Sequence, residues 1–209
     1  MYQFKKITMA FCGVLLCGIC VGMLQKANLG VDPFTCLVTG IANLFNSTYS
    51  TFYLILTAFL LFLVFILRRH YIGIATIINL FLTGIAADTM RSILDNIFPH
   101  LNLTLRCGLM ITAIVFTCLA AALYFTADLG VSAYDAIALI AAYKFHLLPF
   151  KYCRIITDSI CVLVGFSFNV TLGIGTIITA LFMGPLTQWF KSNIAEPLLN
   201  HNESIKTIA

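Results

Sequence analysis

Charge is what this chain has least of. Eight acidic and twelve basic residues make up 10% of its 209 positions, against 61% hydrophobic residues and a mean hydropathy of +1.00. A soluble fold of that length cannot hide so much apolar surface, so lipid must be the solvent. There is also no run of basic residues, which argues against a nucleic-acid partner; the net charge of +4 reads as membrane orientation. No H-E-x-x-H, P-loop, nucleophile elbow or metal-ligand cluster occurs, so the sequence implies neither an enzyme nor a cofactor or metal. Lys5 and Lys6 precede an apolar run, but no A-x-A cleavage site follows, and the run reads as a retained first span rather than a secretory signal. Cys17-Gly-Ile-Cys20 has redox or metal spacing without a second pair or a nearby His. These cysteines read as small packing residues.

What the chain does have is a duplication. Residues 27–84 and 127–184 align at a constant offset of one hundred without a gap, with 16 identities in 58 positions. That exceeds chance even for so biased a composition, so the repeat governs the architecture. Ala27-Asn28-Leu29-Gly30-Val31 returns as Ala127-Asp128-Leu129-Gly130-Val131, and Gly73-Ile74-Ala75-Thr76-Ile77-Ile78 as Gly173-Ile174-Gly175-Thr176-Ile177-Ile178.

Apolar stretches near 7–26, 51–67, 71–90, 107–126, 153–169 and 172–190 are long enough to cross a hydrocarbon core that takes about 20 helical residues. A shorter segment lies between the first and second stretch of each copy, Pro33 to Ser47 and Ser132 to Phe145. At 1.5 Å per residue each is only about 20 Å long, the size of a re-entrant or interfacial helix. The expected fold is therefore all-α and polytopic, with two three-span repeats that an odd span count would invert. The units are 1–100, 101–195 and a short polar tail, 196–209, forming one integrated membrane domain. If the short segments cross instead, there are eight spans and the copies are parallel. The positive-inside rule scores both topologies nine to three, and both keep the termini in the cytoplasm. Segment length favours six.

Each signature carries candidate ligand groups. Gly30 and Gly130 stand where a helix C-cap takes left-handed backbone. Asp32-Pro33 reads as an N-cap followed by proline at the first helical position, with Ser132 the cap of the second copy. Chain that ends one helix and restarts another at membrane depth is tolerated only inside protein or beside water. The candidate substrate-binding residues are thus Asn28, Gly30, Asp32, Asp128 and Gly130; the same loops also read as tight turns that touch no ligand. In the last span of each copy, Gly173 and Gly175 allow close helix approach. Thr76 and Thr176 can bond backbone or face a solute, and Asn79 and Thr179 occupy matching positions, so Thr76, Asn79, Gly173, Gly175 and Thr176 join the loop residues as substrate-binding candidates.

Acids within spans are expensive in lipid and are functional candidates. Asp135, without a basic residue nearby in sequence, is the first coupling candidate and also a substrate-binding one. Asp158, the second coupling candidate, has Arg154 one turn before it as an i,i+4 partner. Asp88 is expected to pair with Arg91. His146, beside Lys144 and Lys151, reads as a solvated loop histidine.

Leu-Gly-Val-x-Pro-aromatic after the first span, two Gly-Ile-x-Thr-Ile-Ile spans, Ala-x-Leu-Gly-x-x-x-x-Asp and the closing Gly-Pro at Gly184-Pro185 together resemble the YczE/YyaS/YitT-type bacterial integral membrane proteins, in their YczE-like branch. The resemblance implies a bacterial inner-membrane location and a transport-related role. Where such proteins often carry Gly-Pro-Arg-Asp, this chain has Val131-Ser132-Ala133-Tyr134-Asp135, which keeps the acid and loses the arginine. Three functions fit: a secondary transporter of a small organic solute, a substrate-binding membrane subunit served by an energising partner, or a non-transporting accessory protein. The expected partners are the lipid bilayer and the solute, with a homo-oligomer or an energising subunit as further possibilities.

Overall fold

The computed structural model describes residues 2–144, 150–168, 170 and 173–199. Every regular element among them is helical: α1 (Tyr2–Ala27), α2 (Pro33–Leu44), α3 (Tyr49–Leu67), α4 (Ile74–Ile97), α5 (Leu103–Ala127), α6 (Ala133–Tyr143), α7 (Phe150–Ser167) and α8 (Ile174–Phe190). A 3-10 turn, Arg69–Tyr71, leads into α4, and a π-helical segment, Lys191–Ala195, extends α8. Four helices are long and apolar enough to cross a membrane, at Gln3–Ala27, Tyr49–Leu67, Ile74–Ile97 and Leu103–Ala127. The other two expected spans also form helices, but α7 holds Lys151, Arg154 and Asp158 within 18 residues and α8 is 17 residues long. The two short segments are helices of 12 and 11 residues, as their length predicts.

The molecule turns its large apolar side chains outward. Along α4, Ile74, Ile77, Phe81 and Ile85 form an exposed stripe at helical spacing, whereas Ala75, Thr76, Asn79 and Thr83 on the opposite face are buried. On α8, Ile174, Ile177 and Leu181 are exposed while Thr176 and Thr179 are buried. An apolar exterior around small and polar interior residues suits hydrocarbon as the surrounding solvent, with helices held by close packing.

Helix α1 forms the centre. It packs on α4 and α5, its two largest contact partners. A Cβ at Gly18 would meet Thr83 O at 2.8 Å and one at Gly22 would meet Ala87 O at 2.5 Å, while Gly13 faces Ala120 and Tyr124 on α5. Gly18-Ile-Cys-Val-Gly22 is thus a small-xxx-small contact, a pattern present in the sequence but not singled out there. Gly40 on α2 lies against Gly165 on α7, and Gly165 against Cys36. That brings α2, from the first half of the chain, onto α7, from the second; α6 likewise packs on α3.

Of the segment expected as a short polar tail, residues 196–199 are described and are helical. Helix continues through Leu199, and Ala195 and Leu199, one turn apart, are buried with Met9 and Ala10 of α1. Residues 200–209 and His146 lie outside the described residues.

Candidate functional site

The two signature loops end their helices alike. Asn28 and Asp128 both take left-handed backbone at φ 51°, and Gly30 and Gly130 follow at φ 117° and 106°. This corrects the expectation that the glycines themselves are the caps: the cap is the residue before Leu29 or Leu129, and asparagine and aspartate tolerate that conformation. The glycines turn the chain back inward. A Cβ on Gly30 would sit 2.6 Å from Thr176 N, and one on Gly130 2.5 Å from Gly73 N.

Each loop docks on the other half of the chain. Leu29 O accepts from Gly175 N at 2.9 Å, and Leu129 O accepts from Ala75 N at 3.0 Å. Val31 N donates to Thr176 Oγ1 at 3.2 Å, while Thr76 Oγ1 donates to Val131 O at 2.7 Å. Gly73 and Gly173 admit the loop carbonyls so closely that a Cβ would lie 2.0 and 1.9 Å from Leu129 O and Leu29 O. Thr76, Gly173, Gly175 and Thr176 therefore hold the opposite loop. Asn79 accepts from Tyr53 OH at 2.6 Å, and Thr179 bonds back to Gly175 O at 2.9 Å.

Past the loops, the short helices begin with the predicted caps. Asp32 Oδ1 accepts from Thr35 N at 3.0 Å with Pro33 at the first helical position, and Ser132 Oγ accepts from Asp135 N at 3.1 Å. The starts of α2 and α6 lie together, with the rings of Phe34 and Tyr134 stacked at 4.8 Å and 20°. From there the helices diverge. Asn43 of α2 and Asp95 of α4 border one cavity, whereas Lys144 beyond α6 donates to Leu67 O at the end of α3.

Beside this stack lies the main charged constellation. Asp135 and Asp158 are 5% and 7% exposed, and Arg154 ion-pairs with both, reaching Asp135 through Nη1 and Asp158 through Nε at 3.2 Å. The sequence expectation that Asp135 lacks a basic partner is overturned: α6 packs on α7, and Arg154 satisfies an acid nineteen positions earlier as well as the one a turn later. Tyr124 OH and Ser132 Oγ donate to Asp135 Oδ2, and Tyr134 OH to Asp158 Oδ1. The guanidinium carbon stands 4.5 Å from the Tyr134 ring centroid, a cation–π contact. Charges buried with such complete partners are tolerable where unpaired ones are not. The cluster counts two carboxylates against one guanidinium.

Arg154, Tyr124, Tyr134 and Ser132 were not singled out as site residues. A signal for them exists in the alignment of the two copies. Thr35, Leu54 and Ala58 of the first copy correspond to Asp135, Arg154 and Asp158, and Leu24 and Phe34 to Tyr124 and Tyr134. All five polar members enter in the second copy alone. The expected Asp88–Arg91 pair is also corrected: Asp88 Oδ2 accepts from Ser50 N at 2.9 Å, and Arg91 faces Asp95 at 4.0 Å.

Residues 4–192 match the model of a family of unknown function, DUF6198. The chain belongs to this family. DUF6198 membership agrees with the resemblance read from the motifs, since a chain it is similar to is the uncharacterized protein YyaS of Bacillus subtilis, 22% identical over 190 residues that span 91% of this chain and 94% of that one. An uncharacterized protein of Haemophilus influenzae is 27% identical over 195 residues, covering 92% of this chain and 86% of its own. No solved structure matches this DUF6198 member.

Proposed function

We propose that the chain is a secondary transporter of a small organic solute, working by alternating access of two copies of one four-helix unit inverted about an axis in the membrane plane. The observation that carries this reading is the stack of Phe34 on Tyr134. Equivalent residues of two copies touch where they flank the axis relating them, and here they do so at the starts of two short, diverging helices. The reciprocal docking of Leu29 on Gly175 and Leu129 on Ala75 supports the same axis. In this reading α2 and α6 are re-entrant: each starts inside the membrane and returns to the side from which its loop came. Broken segments of this kind hold substrate and coupling ion in transporters built from inverted repeats.

Asp135, Arg154 and Asp158 then supply the coupling charge. One carboxylate is in excess, and a single proton leaves the cluster neutral, which removes the electrostatic cost of moving it through hydrocarbon. Tyr124 and Tyr134 orient the two acids. The location is the bacterial inner membrane with both termini in the cytoplasm, the partners are lipid and solute, and the mechanism requires no cofactor.

Proteoliposomes holding the purified chain, given a panel of radiolabelled small organic solutes with and without an imposed pH gradient, test this. At least one solute should enter faster with the gradient in the wild type, and Asp135→Asn should insert normally yet lose the gradient response. Absence of flux across the whole panel, or a full gradient response in Asp135→Asn, overturns the reading.

A further inference from the structure

The second copy holds the ion cluster, and the first copy has polar residues of its own where the second has none. Gln25 corresponds to Phe125 and Thr39 to Leu139. A packing role alone does not call for an amide and a hydroxyl at these positions, since the same fold accommodates apolar side chains at their equivalents. Both ends of the Gln25 amide and the Thr39 hydroxyl are buried without a hydrogen-bond partner. Such groups cost about 1–3 kcal/mol each when left unsatisfied, so something is expected to meet them. Both line a cavity of about 170 Å³ between α1 and α2. Through Thr39, Asn43 and Arg91 it shares walls with a second cavity of about 300 Å³ that opens between α2 and α4.

We infer that this two-part chamber is a binding site for an uncharged solute of the carboxamide class. The inner part offers the Gln25 carbonyl as acceptor, its NH2 as donor and the Thr39 hydroxyl as either; a carboxamide is the complement of that set, donating to the first and accepting from the second. Charged solutes find less there. Asp88 is held by Ser50 N, and Asp95 takes Lys26, so the acids on the wall already have protein partners and offer little to a cation; Arg91, the cation that lines both parts, lies 4.0 Å from Asp95, which offsets its charge toward an anion. The outer part runs to Tyr49, and from there an aromatic series of Tyr49, Tyr53, Phe34 and Tyr134 leads to the ion cluster. A solute in the chamber thus lies at one end of a packed path whose other end is Arg154 and its acids. As the transported substrate, the solute class rests on the transport reading; as a ligand of this chamber it does not.

The experiment is a thermal-unfolding titration of the purified full chain in detergent. The probes are neutral carboxamides from acetamide to benzamide, each set against the carboxylate of the same skeleton. Saturable stabilisation by at least one amide and by none of the carboxylates is expected. Gln25→Leu and Thr39→Leu should raise the amide midpoint about tenfold. Without amide, Gln25→Leu should itself melt about 2–4 °C higher than the wild type, because it removes an unsatisfied buried group. No saturable shift with any amide, equal stabilisation by the carboxylates, or unchanged midpoints in both variants overturns the site and leaves a water-filled pocket. Amide binding without flux in proteoliposomes would keep the site and remove the transport reading, so the two fail separately.

Discussion

At the scale of single residues, charge balance around Arg154 decides most. Its guanidinium bonds Asp135 and Asp158, and removing it leaves two carboxylates close together inside the bundle, at a cost of about 3–5 kcal/mol. Removing one acid instead leaves a balanced pair. Arg154→Leu should therefore lower the unfolding midpoint in detergent much further than Asp135→Asn or Asp158→Asn, and adding Asp135→Asn to Arg154→Leu should recover part of the loss. Equal losses in the three single variants would mean that packing volume, not charge, sets the stability of the cluster. The two acids are legible in the sequence because ionisable residues are rare in apolar helices. Arg154's second bond is not legible from spacing, since helical periodicity relates Arg154 to Asp158 but says nothing about which helix packs against α7. Tyr124 and Tyr134 are hidden for a related reason: a tyrosine in an apolar run reads as core until the carboxylate at its hydroxyl is known.

At the scale of elements, the breaks between helices carry more information than the helices. Asp32-Pro33 and Ser132 announce where α2 and α6 start, and the Gly-Ile-x-Thr motifs where α4 and α8 start, because caps are local chemistry. The partners of those motifs are not local. Gly173 receives Leu29 O from a hundred and forty-odd positions away, so the sequence explains that a glycine is needed for close approach without saying to what. The packing gives the prediction a direction. A side chain at Gly173 would drive its Cβ to within 1.9 Å of Leu29 O, and one at Gly175 would sit 2.9 Å from Gly30 O. Cys17 and Cys20 face ordinary side-chain packing in α1, where loss of a sulfur costs only its contacts. Gly173→Leu and Gly175→Leu should thus abolish or strongly reduce folded yield on size-exclusion chromatography, while Cys17→Ala and Cys20→Ala retain most of it. Similar yields for all four variants would show that the loop does not dock on α8 as described.

At the scale of the whole molecule, the aligned halves of the sequence differ in chemistry: the second holds Asp135, Arg154 and Asp158, and the first holds Gln25 on α1 and Thr39 on the short helix α2. The exchange of conformations between copies proposed above requires that they be inverted, which makes topology the decisive measurement. Helices of 12 and 11 residues extend about 18 and 16 Å at 1.5 Å per residue, short of the ~30 Å hydrocarbon core. With α2 re-entrant, Ser47 beyond its end faces outside, and His70 in the turn after α3 faces the cytoplasm beside Arg68 and Arg69. With α2 crossing, both assignments reverse. Ser47 and His70 are exposed, so single cysteines there, in a background with the eight native cysteines replaced, remain open to a membrane-impermeant thiol reagent on intact cells. Labelling at 47 and protection at 70, with reaction at 70 once the membrane is permeabilised, is the expected pattern. Protection at 47 with labelling at 70 would make the copies parallel, and two parallel copies cannot exchange inward-facing and outward-facing states by trading conformations.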